Sequence, residues 1–186
     1  MTTLFLFPGQ GSQKPGMGLS FLAASSTATT ALNEAAALYS GTPGLISLLT
    51  ETEEAELSRT IHAQPALLAL SYGIVCHLRE AGIRPDGCAG HSLGEISALV
   101  VAGSLTFPDA LRLVQARARL MSEDVPAGGM AAVMGMTAEA IAAALPESVQ
   151  VANYNGPSQT IISGTLAGLD EAAAALKSAG AKRVLP

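Results

Sequence analysis

The amino-acid sequence predicts an α/β protein in two parts: a parallel-sheet unit with helical cover, then a small ferredoxin-like α+β unit. Three observations lead there. The continuous apolar run Leu4-Phe5-Leu6-Phe7 ends at Pro8-Gly9, as a buried parallel strand does before its turn. A second strand-like segment, Cys88-Ala89-Gly90, enters His91-Ser92-Leu93-Gly94-Glu95 and then a helix-compatible run over residues 96–102, giving strand, sharp turn and helix. After the linker-like Val125-Pro126-Ala127-Gly128-Gly129 the pattern changes to short segments in the order β-α-β-β-α-β. The expected division is therefore 1–124 and 125–186. The first part shows only two convincing parallel strands, so its sheet is incomplete by the usual standard of such folds.

Bulk composition narrows the function classes. Of 186 residues, 49% are hydrophobic and 13% charged, enough apolar content for a well-filled core. A net charge of −5 argues against a nucleic-acid partner. No run of about 20 apolar residues stands out, so no membrane span is expected. The N-terminus lacks a secretory pattern, which points to a cytoplasmic protein. Cys76 and Cys88 make neither a disulfide framework nor a metal set and read as small buried hydrophobes; no metal site is expected.

The elements follow in order. Residues 8–13 place two glycines around Gln10 directly after a strand, where open α/β sheets put ligands. An ordinary βα turn is the alternative, and the phosphate-loop pattern with its Lys is absent. Ala-rich residues 21–39 predict a helix that Pro43-Gly44 breaks, and 45–57 one or two short helices with Glu51, Glu53, Glu54 and Glu56 in solvent. Gln64-Pro65 is expected to open a helix over 66–81, with Pro65 in its first turn and Gly82 as its stop. That helix is apolar nearly all round and should be buried. His77 reads as a core or rim residue, whereas His62 and Gln64 sit just before the helix, where they could face a cleft, although nothing in the spacing of His62 singles it out for one. Thr106-Phe107-Pro108-Asp109 is a start signal for a helix running to about residue 124. In the second part, strands are expected at 130–134, 149–153, 159–163 and 182–185, with helices at 137–145 and 166–179.

Two features carry chemistry. Gly90-x-Ser92-x-Gly94 in its strand–turn–helix context is the pattern of a nucleophile elbow, with the Leu93 N–H at a helix N-terminus where it can meet an oxyanion. The competing reading is a chance match in a chain with 19 glycines. On the helix after Thr106, Arg112 and Arg119 have mostly polar neighbours three and four residues away. Arg117 has Leu113, Val114, Leu120 and Met121. A guanidinium on an apolar face needs an anion. A buried salt bridge to Glu95 or another carboxylate and a clamp for a substrate carboxylate both satisfy that need, and spacing does not separate them.

Taken together, 7–13 (Phe-Pro-Gly-Gln-Gly-Ser-Gln), Gln64-Pro65-Ala66-Leu67, Gly90-His91-Ser92-Leu93-Gly94-Glu95, Gln115-Ala116-Arg117 and the Asn153/Asn155/Pro157/Gln159 pattern resemble the malonyl-CoA:acyl-carrier-protein transacylases. These are acyltransferases of fatty-acid and polyketide synthesis. The resemblance spans the whole sequence. It implies a hydrolase-like α/β subdomain with an inserted ferredoxin-like subdomain, malonyl-CoA as substrate, an acyl carrier protein as partner and no bound cofactor. Residue by residue, it implies Ser92 as the acylated nucleophile, the backbone N–H groups of Gln10 and Leu93 as oxyanion hole, and Arg117 as the partner of the malonyl carboxylate. His91 and Gln64 fall nearby without a step of their own. Leu93 matches the malonyl-selecting form of the elbow, and Asn155 a cleft-facing hairpin.

One part of that pattern has no match. The family's catalytic histidine lies downstream of the ferredoxin-like unit, and the only histidines here are His62, His77 and His91. The resemblance thus implies a shortened chain that turns over poorly without that base. Two further readings stay open: a serine esterase or thioesterase of α/β type, and a non-catalytic fragment that binds CoA or a carrier.

Overall fold

The structure, a computed structural model, describes residues 2–123 and 125–186. They form two compact units, Met1–Glu123 and Asp124–Pro186.

In the first unit, β1 (Leu4–Phe7) pairs in parallel with β2 (Gly87–Gly90), from Leu4 opposite Gly87 to Phe7 opposite Gly90. These two strands are the unit's whole sheet among the described residues. β1 was expected to be buried on both faces, and it is not. Phe5 and Phe7 pack with Val75, Ala98 and Val101, while Leu4 and Leu6 are 64% and 74% exposed. In a strand alternate side chains point to opposite faces, and only one face is covered here. Cys88 and Cys76 are half-buried free thiols rather than core residues.

Helices supply most of the core. The segment read as one helix over 21–39 is two, α1 (Leu19–Ala24) and α2 (Ser26–Leu38). Ser25 separates them because its hydroxyl caps α2, accepting from the Ala28 N–H at 3.0 Å. α3 (Leu45–Thr50) and α4 (Glu54–Leu57) are the two short helices allowed by 45–57. α5 (Thr60–Glu80) begins six residues before its expected start. Pro65 therefore lies inside the helix rather than in its opening turn, and the amide bond to the Ile61 carbonyl is forgone. The side chains of Thr60, His62 and Gln64 each hold tertiary hydrogen bonds that fix this extra turn. α5 ends as expected, with Gly82 at φ +79° just beyond it. By length and composition α5 is apolar enough to cross a membrane, a test that a buried core helix also meets, and α5 is largely buried inside its unit, as its all-round apolar surface predicts. Leu67, Leu68 and Leu70 of α5 join Leu32, Leu45, Leu48, Leu49 and Leu111 in one cluster. Each fully buried leucine contributes roughly 1.5–3 kcal/mol. Tyr72 of α5 stacks on Phe107, ring centroids 4.1 Å apart.

α6 (Leu93–Val101) follows β2, and α7 (Phe107–Leu120) follows its Thr106 cap, with Pro108 in its first turn. The Thr106 hydroxyl accepts from the Asp109 N–H and donates to the Asp109 carboxylate, which also accepts from Arg112. First the hydroxyl and then the guanidinium hold the Asp109 carboxyl below its usual range. A folded-state value below the unfolded one favours the fold above the unfolded value, and that contribution is lost as pH falls through the folded value. A carboxyl-carbon NMR titration is accordingly expected to place the Asp109 midpoint below the usual carboxylate range. Thr106→Ala should move it back up toward that range.

The second unit is ferredoxin-like. β3 (Gly128–Met134), α8 (Ala138–Ala144), β4 (Val149–Gly156), β5 (Gln159–Thr165), α9 (Leu166–Ser178) and β6 (Arg183–Leu185) appear in the expected order. The sheet is antiparallel in the order β4-β5-β3-β6. Val133, Ile141, Ile162, Ala172 and Leu176 form its core. β4 runs three residues past the expected end at Asn153, because residues 153–156 keep pairing with β5 through two register shifts.

Candidate active site

The centre of the first unit is the turn between β2 and α6. Ser92 lies there at φ +53°, ψ −107°, the one non-glycine residue with positive φ among those described. Such a conformation costs of order 1–3 kcal/mol and persists only where the surroundings enforce it. The enforcement is visible on both sides. A Cβ on Gly90 would lie 2.0 Å from the Gly94 carbonyl carbon, and one on Gly94 would lie 2.1 Å from the Phe7 carbonyl oxygen. The His91 N–H donates to the Phe7 carbonyl at 3.1 Å, and the Gly94 N–H to the His91 carbonyl at 2.9 Å. The turn is thus pressed against the end of β1 with no space for a side chain at either glycine. Leu93 is the first residue of α6, so its N–H belongs to the electropositive helix end.

The turn after β1 approaches from the other side. A Cβ on Gly9 would fall 2.8 Å from the His91 carbonyl oxygen and 2.9 Å from its ring Nδ1. Gly11 takes φ +103° and its N–H donates to the Gln13 side chain at 2.8 Å. Ser12 donates to the Gly9 carbonyl, and Gln13 reaches Ser58. The Gln10 amide donates to the Thr60 hydroxyl at 3.0 Å.

From here the polar residues join in series. Gln64, fully buried, donates from Nε2 to Gln10 Oε1 at 3.4 Å and accepts on Oε1 from Arg117 Nη1 at 2.6 Å. Arg117 Nη2 then donates to Ser92 Oγ at 3.0 Å. Ser92, Arg117, Gln64 and Gln10, four residues singled out from widely separated stretches of sequence, stand in one hydrogen-bonded chain. Between the two open readings of Arg117, the salt bridge finds no support. Arg117 pairs with no carboxylate among the described residues, Glu95 included. The face it occupies is also less apolar in effect than the spacing implied. Arg117 is half-buried, and Leu113, Leu120 and Met121 around it are exposed.

The histidines sort differently. His77 meets the Ser25 hydroxyl at 2.9 Å, the rim role expected of it. His62, which could face a cleft by its place in the sequence, is instead buried, with Nε2 2.8 Å from a Glu56 carboxylate oxygen. His91 is exposed at the elbow. Glu56, expected in solvent, is instead half-buried and accepts from Arg59 as well as facing His62; Thr60 was not singled out in the sequence. The signal for Thr60 was its place at a helix start, hidden when Pro65 was read as the opening turn.

A serine held at positive φ between a parallel strand and a helix N-terminus, with an arginine on its hydroxyl, defines an α/β protein of the nucleophile-elbow class. The chain belongs to the family described as acyl transferase domain, whose profile matches residues 4–185. It is 45% identical to the malonyl CoA-acyl carrier protein transacylase of Bacillus subtilis, over 98% of this chain and 59% of that protein. With the Escherichia coli K12 protein of the same name it shares 41% identity, over 98% and 61%. Among solved structures, the malonyl-transacylase in a complex with a type II polyketide-synthase acyl-carrier protein superposes with a TM-score of 0.91 at 40% identity, covering all of this chain and 62% of that one. The chain spans about three-fifths of the length of the curated relatives it matches.

Proposed function

We propose that this chain carries the acylation centre of a malonyl-CoA:acyl-carrier-protein transacylase. The observation that carries the reading is the Arg117–Ser92 hydrogen bond at a strained elbow. Ser92 Oγ attacks the thioester carbonyl of malonyl-CoA, and the oxyanion is met by the N–H groups of Leu93 and Gln10. The C–S bond breaks, CoA leaves as its thiol, and a malonyl ester remains on Ser92. The phosphopantetheine thiol of an acyl carrier protein then attacks that ester, and Ser92 recovers its proton. Arg117 has five N–H donors, and its bonds to Gln64 and Ser92 leave donors for a carboxylate. His91, beside the Gly9 turn, borders the acyl position.

Supporting the reading, relatives that share about two-fifths of this sequence are named for this reaction, and one is solved with its carrier protein. No resident cofactor is needed in this scheme, nor a nucleic acid or membrane, and a cytoplasmic setting suits two unpaired cysteines. A simple α/β esterase would have no use for Arg117 and its buried amide partner. Among the described residues Ser92 Oγ has Arg117 as its partner, and a guanidinium cannot accept the serine proton. His62 and His77 are engaged with Glu56 and Ser25.

The test is intact-mass analysis after mixing with malonyl-CoA, using the chain joined to the remaining two-fifths of the B. subtilis relative. A malonyl ester that maps to Ser92 and vanishes in Ser92→Ala is expected. An adduct that survives Ser92→Ala, or no adduct, overturns the assignment.

A further inference from the structure

We infer that Gln64 is the positioning residue of this site: a buried neutral amide that aims Arg117 and ties it to the Gln10 turn. Selection of a carboxylate-bearing acyl group then depends on residue 64. The inference rests on the reading of Arg117 as the carboxylate clamp.

The chemistry of the donors fixes each amide in turn. Arg117 only donates, so the group facing Nη1 at 2.6 Å is the Gln64 oxygen. The Gln64 Nε2 then faces outward to acceptors, and it finds Gln10 Oε1 and Met121 Sδ, each at 3.4 Å. With its oxygen so engaged, Gln10 turns its own Nε2 to the Thr60 hydroxyl at 3.0 Å. Orientation passes without a break from the Thr60 end of α5 to the guanidinium at Ser92. Gln64 is wholly buried, so water offers its amide no alternative partners, and the arrangement is held rather than sampled. Thr60 and Gln64 both belong to the α5 turn ahead of Pro65, one helical turn apart.

A glutamate in the same place would fill the same volume and act oppositely. Its carboxylate would pair with Arg117 and offset the charge that an incoming carboxylate needs. It would also set an acceptor against the Gln10 oxygen. A methionine would keep the volume and release Arg117 from its aim. A merely structural role for Gln64 predicts equal losses for charged and neutral acyl donors. A positioning role predicts losses confined to the charged one.

The experiment measures dissociation constants for malonyl-CoA and acetyl-CoA on the unchanged chain, Gln64→Glu, Gln64→Met, Gln10→Met and Arg117→Ala, with a urea midpoint for each. Gln10 is exposed, so its variant keeps the test open if a residue-64 variant fails to fold. Gln64→Glu is expected to weaken malonyl-CoA by roughly 100-fold and Gln64→Met by roughly 10-fold, the range of a hydrogen bond to a charged group. Gln10→Met should cost a few-fold, and in each of these variants the loss should fall on malonyl-CoA and not on acetyl-CoA. Parallel loss of both ligands, or malonyl-CoA affinity unchanged while Arg117→Ala loses it, overturns the role of Gln64. If the unchanged chain does not prefer malonyl-CoA, or Arg117→Ala keeps the preference, the clamp reading fails and this inference with it.

Discussion

Arg117→Ala is expected to collapse the preference for malonyl over acetyl donors by about 100-fold or more. A site built to pair a polar substrate group rejects the analogue lacking that group by this order or beyond, because its own donors are otherwise left unpaired. The substitution removes those donors, so the penalty on acetyl disappears together with the gain on malonyl. It also removes the hydrogen bond that now occupies Ser92 Oγ and leaves the Gln64 oxygen buried without its donor. Arg117→Lys should recover only part of the preference. A single ammonium keeps the charge but lacks the planar fork that reaches Gln64 and Ser92 from two different nitrogens. The measurement is competition between malonyl-CoA and acetyl-CoA for the adduct in the joined chain described above. Unchanged selectivity in Arg117→Ala would remove Arg117 from the specificity argument altogether.

Gly94→Ala is expected to destabilise the first unit by about 3 kcal/mol or more, at or beyond the upper end for overpacking. The added carbon would fall 2.1 Å from the Phe7 carbonyl oxygen and 2.9 Å from that of Pro8, both backbone atoms with no rotamer to give way. Relief requires α6 to back off from β1, which breaks the approach that holds Ser92 in place. Gly156→Ala is the control. Nothing lies within 4 Å of its added carbon, and the change is expected to stay within about 0.5 kcal/mol. Urea unfolding of the two variants checks both numbers. A Gly94→Ala variant as stable as the parent would mean that the elbow is not packed as described.

The elbow glycines also show what the sequence made legible. Gly90-x-Ser92-x-Gly94 after a strand is a local pattern, and at Gly90 the steric reason is local too, whereas at Gly94 it comes from Phe7 and Pro8 of the first strand and its turn. The β-α-β-β-α-β order of the second unit was readable because period and turn chemistry are written along the chain. The start of α5 was not. Pro65 fits a first turn by its own chemistry, and what places it inside the helix is a set of side-chain contacts with Gln10 and Arg117, far off in sequence, and with the nearby Glu56. The break at Ser25 is not legible because, in the run Ser25-Ser26-Thr27, only the cap that one hydroxyl makes tells a helix start from a helix interior. The outward Leu4 and Leu6 were misjudged because an apolar strand reads alike whether one face or two are covered. For the site, the residue types and the crowding around Arg117 were visible. That its partners are an amide and a hydroxyl rather than a carboxylate depends on which side chains two helices and two turns bring within 3 Å, and no spacing rule encodes that.

The backbone of Ser92 has a meaning for the fold as a whole. A serine at φ +53° is a residue the chain would hold more comfortably as glycine. The protein therefore carries at its centre a choice that folding alone would not favour. Stability and geometry pull in opposite directions at this one position, and geometry has prevailed. Tolerance for that choice has to come from elsewhere, from the leucine-rich packing of α5 against α2, α3 and α7. The interior of this unit then acts as a reserve that keeps its most awkward residue in place.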